Sequence, residues 1–191
     1  MWQTSEFAGE HEGRPAAVLA DGSEPKPLLF DLGSGADFDT STDWWDYDGA
    51  HGTPLAASVR AACSCGWRGE RLHAVDWARV GNDLPLPFSF DTDGPLGEWR
   101  EHVAGVEARA VPLPEHVRDL LERVTAELEA LADTGPLAAL RAVAALERTG
   151  ARVAGTAAHY LGQDEVPVER VATGLGISPG AARSRLSRYG S

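Results

Sequence analysis

The hydrophobic period of this chain changes once, at Pro114, and that change limits the folds open to it. From Pro114 to about Asp133, Val117, Leu120, Leu121, Val124, Leu128 and Leu131 recur at three- and four-residue spacings, which puts them on one stripe of an α-helix. Gly135-Pro136 ends that helix, and Pro136 suits the first turn of the next. Leu137, Leu140, Val143 and Leu146 carry the period to about Arg148. Thr149-Gly150 is expected to interrupt it, with a further helix from Val153 to Leu161. Val168–Leu175 and Pro179–Tyr189 read as two more short helices.

Ahead of Pro114 no long helical period occurs. Ala16–Leu19 and Leu28–Leu32 are short apolar runs bounded by Asp21-Gly22 and Gly33-Ser34-Gly35, and they read as strands with turns. Asp37–Gly52, centred on Trp44-Trp45-Asp46-Tyr47-Asp48, reads as an acidic aromatic loop. Ala57–Cys63 is expected to be a strand, Cys63–Gly66 its turn and Trp67–Leu72 the returning strand. The stretch from Asn82 to Gly94 reads as irregular, and Leu96–Val106 as a short helix carrying Trp99 and His102. A chain of 191 residues accommodates one domain or two small ones. The expected fold class is therefore α+β: a small β-containing N-terminal module, residues 1–110, followed by a helical region, residues 111–191, that ends in a helix-turn-helix at 167–189.

Charge follows the same division. Residues 1–134 hold 10 basic and 25 acidic side chains, whereas residues 135–191 hold 7 basic and 4 acidic ones. The net charge of −12 argues against phosphate binding by the chain as a whole, but the basic tail is exempt from that argument. No apolar run approaches the ~20 residues that span a bilayer, so no membrane partner is expected. Met1–Glu6 has neither a basic nor an apolar signal-peptide region, so a cytoplasmic location is expected. Gly33-x-Gly35 lacks the context of a dinucleotide site, and no GxSxG, HExxH or P-loop occurs, so the chain is not expected to be an enzyme.

Two constellations carry chemistry. In the first, Ala172 is the small residue of a leading helix, Gly176 supplies a turn that tolerates positive φ, and Val171, Leu175, Ile177 and Leu186 lock the two helices together. Ser178 is a good N-cap and Pro179 fits the position after it. The N-terminal end of the second helix then carries Gly180, Ala181, Arg183, Ser184 and Arg185, the end that such helices insert into the major groove of double-stranded DNA. The segment from Leu175 to Arg188 resembles the recognition helix of bacterial sigma factors of the extracytoplasmic-function type, in the region that reads the −35 promoter element. Val168–Ala172 is similar to the preceding helix of that family. The resemblance covers roughly 25 residues and departs from the family pattern at Pro179 and Ala182. It implies that Gly180, Ala181, Arg183, Ser184 and Arg185 face DNA, that Arg188 touches the backbone and that the chain acts in transcription. A single unit with about three to five phosphate contacts binds weakly, so a homodimer or a protein partner is expected as well.

The second constellation is Cys63-Ser64-Cys65-Gly66-Trp67. Two thiolates one residue apart cannot readily close an unstrained disulfide, but both can reach one soft metal ion at a tight turn. Zinc takes four ligands, so two more are needed. His102 in Trp99-Arg100-Glu101-His102 is the first candidate, and His51 and His73 compete for the remaining place. The motif resembles a Cys-x-Cys-Gly-Trp … Trp-x-x-His element of uncharacterised bacterial proteins. The competing reading of the whole chain is a non-enzymatic protein-interaction module in which the helix-turn-helix is purely structural.

Overall fold

The computed structural model describes residues 1–4, 7, 9–31, 38–80 and 90–190. Gly33-x-Gly35, and residues 82–89 of the stretch read as irregular, lie outside them. The fold is α+β. The chain divides into two compact units, Met1–Ala108 and Arg109–Ser191.

In the first unit, β1 (Gly13–Val18), β4 (Ser58–Cys63) and β5 (His73–Ala74) form an antiparallel sheet in the order β1-β4-β5. The register pairs Gly13 with Cys63 and Val18 with Ser58. A separate two-stranded ribbon pairs β2 (Leu28–Asp31) with β3 (Phe38–Ser41). The segment read as an acidic aromatic loop includes β3 and two 3₁₀ turns, Trp44–Asp46 and Ala50–Gly52. It also supplies the core: Trp44 and Tyr47 are fully buried with Ala17, Ala56, Val59 and Val80, and Phe90 and Trp77 pack on Trp44. Aromatic burial thus coexists with the segment's acidic composition, since Asp43 and Asp48 are exposed beside the buried Trp44 and Tyr47.

α1 (Asp93–Glu107) packs across β1 and β4 through Trp99, Val103 and Val106. Gly13 makes this approach possible. A Cβ there would lie 2.5 Å from the Trp99 ring, so any larger residue would push the helix off the sheet. The returning strand expected over Trp67–Leu72 is reduced to a single bridge between Ala62 and Arg68, after which the chain leaves the sheet until His73. Glu98 on α1 draws this segment away, accepting from the Arg71 backbone N–H and pairing with His73 at 2.9 Å.

The second unit is helical: α2 (Glu115–Thr134), α3 (Pro136–Gln163), α4 (Val168–Leu175) and α5 (Pro179–Tyr189). α2 and α3 form a hairpin about Gly135, and Pro136 stands in the first turn of α3 as expected. The interruption expected at Thr149-Gly150 does not occur, and α3 is one helix of 28 residues. An interior glycine costs a helix only about 1 kcal/mol, which the alanine-rich flanks absorb.

α4 ends at Gly176, whose φ of 63° and ψ of 37° are left-handed. The Gly176 N–H donates to Thr173 and the Ile177 N–H to Ala172, which closes a Schellman motif. Ser178 then caps α5, its hydroxyl accepting from the Ala181 N–H at 3.1 Å. Val171, Ala172, Ile177 and Ala182 form the buried core between the two helices, with Leu161 of α3 and Leu186 packed against it. Ser178→Ala removes the cap acceptor while leaving that core intact. It should destabilise this unit by about 1 kcal/mol in thermal unfolding, whereas Ser178→Asp should be close to neutral.

Candidate functional site

The turn after β4 is built to present two sulfur atoms. Cys63 C=O accepts from Gly66 N–H, and Cys63 N–H donates to Trp67 C=O. Ser64, Cys65 and Gly66 therefore form a three-residue hairpin loop with Gly66 at φ 98°, a conformation that glycine adopts without strain. Cys63 and Cys65 are free thiols, the first buried and the second half-buried.

Two histidines complete the set. His11, Cys63, Cys65 and His102 offer one donor atom each, and all four atoms lie within 4.8 Å of one another. His11 Nδ1 is 3.4 Å from Cys63 Sγ, and His102 Nε2 is 3.4 Å from Cys65 Sγ. Zinc–sulfur and zinc–nitrogen bonds of about 2.3 and 2.0–2.1 Å, opened to a tetrahedral angle, put sulfur and nitrogen about 3.5 Å apart. The observed edges match that spacing, so the four residues can hold one metal ion. Two nitrogens and two sulfurs from the protein leave no open coordination position, the arrangement of a structural rather than a catalytic site.

Each ligand is held by its surroundings. Trp67 stacks on the His102 ring with centroids 4.3 Å apart and planes 8° from parallel, which fixes the direction of Nε2. Phe7 meets the His11 ring edge-on at 5.6 Å. Ser64 ties the His11 segment to the cysteine turn: its hydroxyl donates to Glu10 C=O at 3.1 Å and accepts from Glu12 N–H at 2.9 Å, while its own N–H donates to Glu12 C=O. Arg68 donates to the Cys63 and Trp67 carbonyls and pairs with Glu24 at 2.7 Å. Such outer contacts orient metal ligands. The Cys65 thiol donates to the Cys63 sulfur, which holds Cys63 well below the ordinary thiol range against the opposing effect of burial. Retaining that proton, with burial adding to the effect, pushes Cys65 up.

Of the expected metal ligands, Cys63, Cys65 and His102 come together and His51 does not. His51 is exposed in the turn Ala50–Gly52, ahead of the start of β4, while Cys63 is at its end. Among the described residues, the donor atoms gathered within 4.8 Å of the two sulfurs are those of His11 and His102, not His51. His73 is committed to Glu98. The ligand absent from the expectation is His11, 3% exposed and 52 residues from Cys63 in sequence. Its signal is the strand read at Ala16–Leu19. Once β1 lies antiparallel to β4 with Gly13 beside Cys63, a residue just before β1 must fall near the cysteine turn.

In the second unit, Ala182 is fully buried and Ala181 half-buried, both packed into the α4–α5 core. Gly180, Arg183, Ser184 and Arg188 are exposed, and Ser178 and Arg185 are half-buried. Ala181, expected to face DNA, is thus partly taken up by packing, because it sits one residue from the innermost position of the helix.

No family model matches the chain, and neither a curated protein nor a solved structure matches it significantly. Among the described residues, no helix is long and apolar enough to cross a membrane.

Proposed function

We propose that the chain is a DNA-binding regulatory protein in which α5 enters the major groove and a zinc ion staples the N-terminal unit. The observation that carries the DNA reading is the placement of α5. It is capped by Ser178, anchored through Ala182 and Leu186, and carries Gly180, Arg183, Ser184 and Arg188 on its solvent side. Small residues at the N-terminal end permit close approach to base edges, and the arginines supply charge for phosphate or bidentate contacts to guanine. Residues 167–191 hold four arginines and one glutamate, a local positive charge on an otherwise acidic chain. That balance suits a reader whose non-specific affinity is low.

Zinc is the ion we assign to His11, Cys63, Cys65 and His102, because a tetrahedral set of two thiolates and two imidazoles suits a borderline-soft ion without geometric preference of its own. Its role is to join the segment before β1, the turn after β4 and α1.

The DNA reading is tested by fluorescence anisotropy on a random duplex of about 20 base pairs across a salt series. With about three to five phosphate contacts, log K should fall with log salt at a slope of about −3 to −4.5. Arg183→Ala should weaken binding several-fold and, where that side chain meets phosphate, reduce the slope by about 1. Absence of any salt-dependent binding at about 50 mM salt would remove this reading.

A further inference from the structure

α2 and α3 leave an apolar surface uncovered. No described residue of α2 is buried, and Ala139 is the one buried residue of α3. Leu120, Leu121 and Val124 on α2 are 49, 53 and 38% exposed; Leu140, Val143 and Leu146 on α3 are 67, 39 and 45% exposed. Two helices make only one contact line, so each keeps the rest of its apolar stripe in water unless another layer covers it.

The spacing of these residues is that of helices that pack in bundles. Val117, Leu121, Val124, Leu128 and Leu131 alternate steps of four and three along α2. Ala139, Val143, Leu146, Gly150, Val153, Ala157 and Tyr160 do the same along α3. A strict seven-residue repeat is the signature of knobs-into-holes contact with further helices. Between the two helices runs an open groove of about 680 Å³, walled by Leu120, Val124 and Leu131 on one side and Ala142, Ala145 and Leu146 on the other.

We propose that this face is a homodimer interface, in which the α2–α3 hairpins of two copies pack into a four-helix bundle. Three features select a second copy over an unrelated partner. First, the two helices are oppositely charged. α2 carries six carboxylates against two arginines, whereas α3 carries three arginines against one glutamate. A two-fold axis that lays α2 of one copy on α3 of the other therefore brings opposite charges together. Second, the groove is rimmed by one cation and one anion, Arg123 and Glu127, the mixed pair that an isologous contact can satisfy with itself. Third, the exposed apolar side chains run along both helices, Leu120, Leu121 and Val124 on α2 and Leu140, Val143, Leu146 and Val153 on α3, so the same hairpin of a second copy can cover both at once. Dimerisation does not depend on DNA binding; if both hold, the bundle pairs two reading helices and raises their joint affinity.

Sedimentation of the 191-residue chain without DNA tests the proposal and is independent of the DNA reading. A dimer is expected at about 10 μM, with dissociation on dilution. Val124→Glu and Leu146→Glu, each placing a charge in the groove, should weaken association about 100-fold or more while helix content by circular dichroism is retained. Leu72→Glu, an equally exposed leucine of the first unit, should leave the mass unchanged. If either groove variant fails to fold, hydrogen exchange of the wild-type chain at two concentrations replaces it, with slowing expected over residues 117–131 and 140–153. A monomeric wild-type chain at about 100 μM overturns the proposal and assigns the face to a different partner. So does a dimer whose mass and exchange are indifferent to the groove.

Discussion

Purified Cys63→Ser protein will carry less than about a tenth of a zinc equivalent where the wild-type chain carries about one, measured by elemental analysis without chelators in the preparation. A hydroxyl is a poor substitute for a thiolate toward zinc, and Cys63 is a buried donor at the end of β4, 3.4 Å from the equally buried His11. The loss will reach stability. An ion bound only by the folded state stabilises it by about 4 kcal/mol when free metal is a thousand times its dissociation constant. Chelation of the wild-type chain should therefore lower the unfolding midpoint of the first unit to that of Cys63→Ser, while the helical signal of the second unit stays in place. His11→Ala should resemble Cys63→Ser, and His51→Ala should keep its metal. A zinc content unchanged in Cys63→Ser, or lost in His51→Ala, would refute this set of four ligands.

Trp99→Ala is the substitution expected to be most damaging away from the ligands. The indole is 2% exposed, lies directly on Gly13 and is 5.9 Å from the Trp2 ring. Truncating a buried tryptophan to alanine costs about 3–5 kcal/mol, because the surrounding backbone cannot collapse into the space. The effect should extend to the metal, since His102 is one turn further along the same helix and takes its position from the way Trp99 seats α1 on the sheet. Zinc affinity, read by competition with a chromophoric chelator, should fall about 10–100-fold. Trp99→Phe keeps a ring on Gly13 and removes an indole N–H that has no hydrogen-bond partner among the described residues, so it should cost far less on both measures. If Trp99→Ala lost stability but bound zinc as tightly as before, α1 would not be what positions His102.

These outcomes rest on residues of unequal legibility in the sequence. The helical half is readable because its signals are local. Apolar spacing, Pro136, Gly176 and Ser178 each act within one turn, and α2, α4 and α5 fall within a residue or two of where those signals put them. The single helix from Pro136 to Gln163 escapes such a reading because a glycine that looks like a break costs less than the alanine-rich flanks return. In the first unit, Cys63, Cys65 and Gly66 announce a turn that can hold a metal, and the Trp-x-x-His spacing places His102 on the same helix as a packing tryptophan. His11 carries no such local mark. It joins the donor set through the pairing of β1 with β4, a contact across about fifty residues, and only the register of that pair distinguishes it from His51. That the Trp44 and Tyr47 rings form the centre of a core is hidden for a similar reason. Their acidic neighbours describe the surface of the segment, and the partners that bury the rings, Trp77 and Phe90, come about thirty residues later or more.

The ligand order has a further consequence during synthesis. The first donor is residue 11 and the last is residue 102, so nearly the whole N-terminal unit separates them. A nascent chain emerging from the ribosome has His11 and both thiols outside well before the fourth donor arrives, and it cannot close the tetrahedron until α1 has cleared the exit tunnel. Capture of the proposed ion would therefore come late in the birth of this unit, with two bare sulfurs in the open until then.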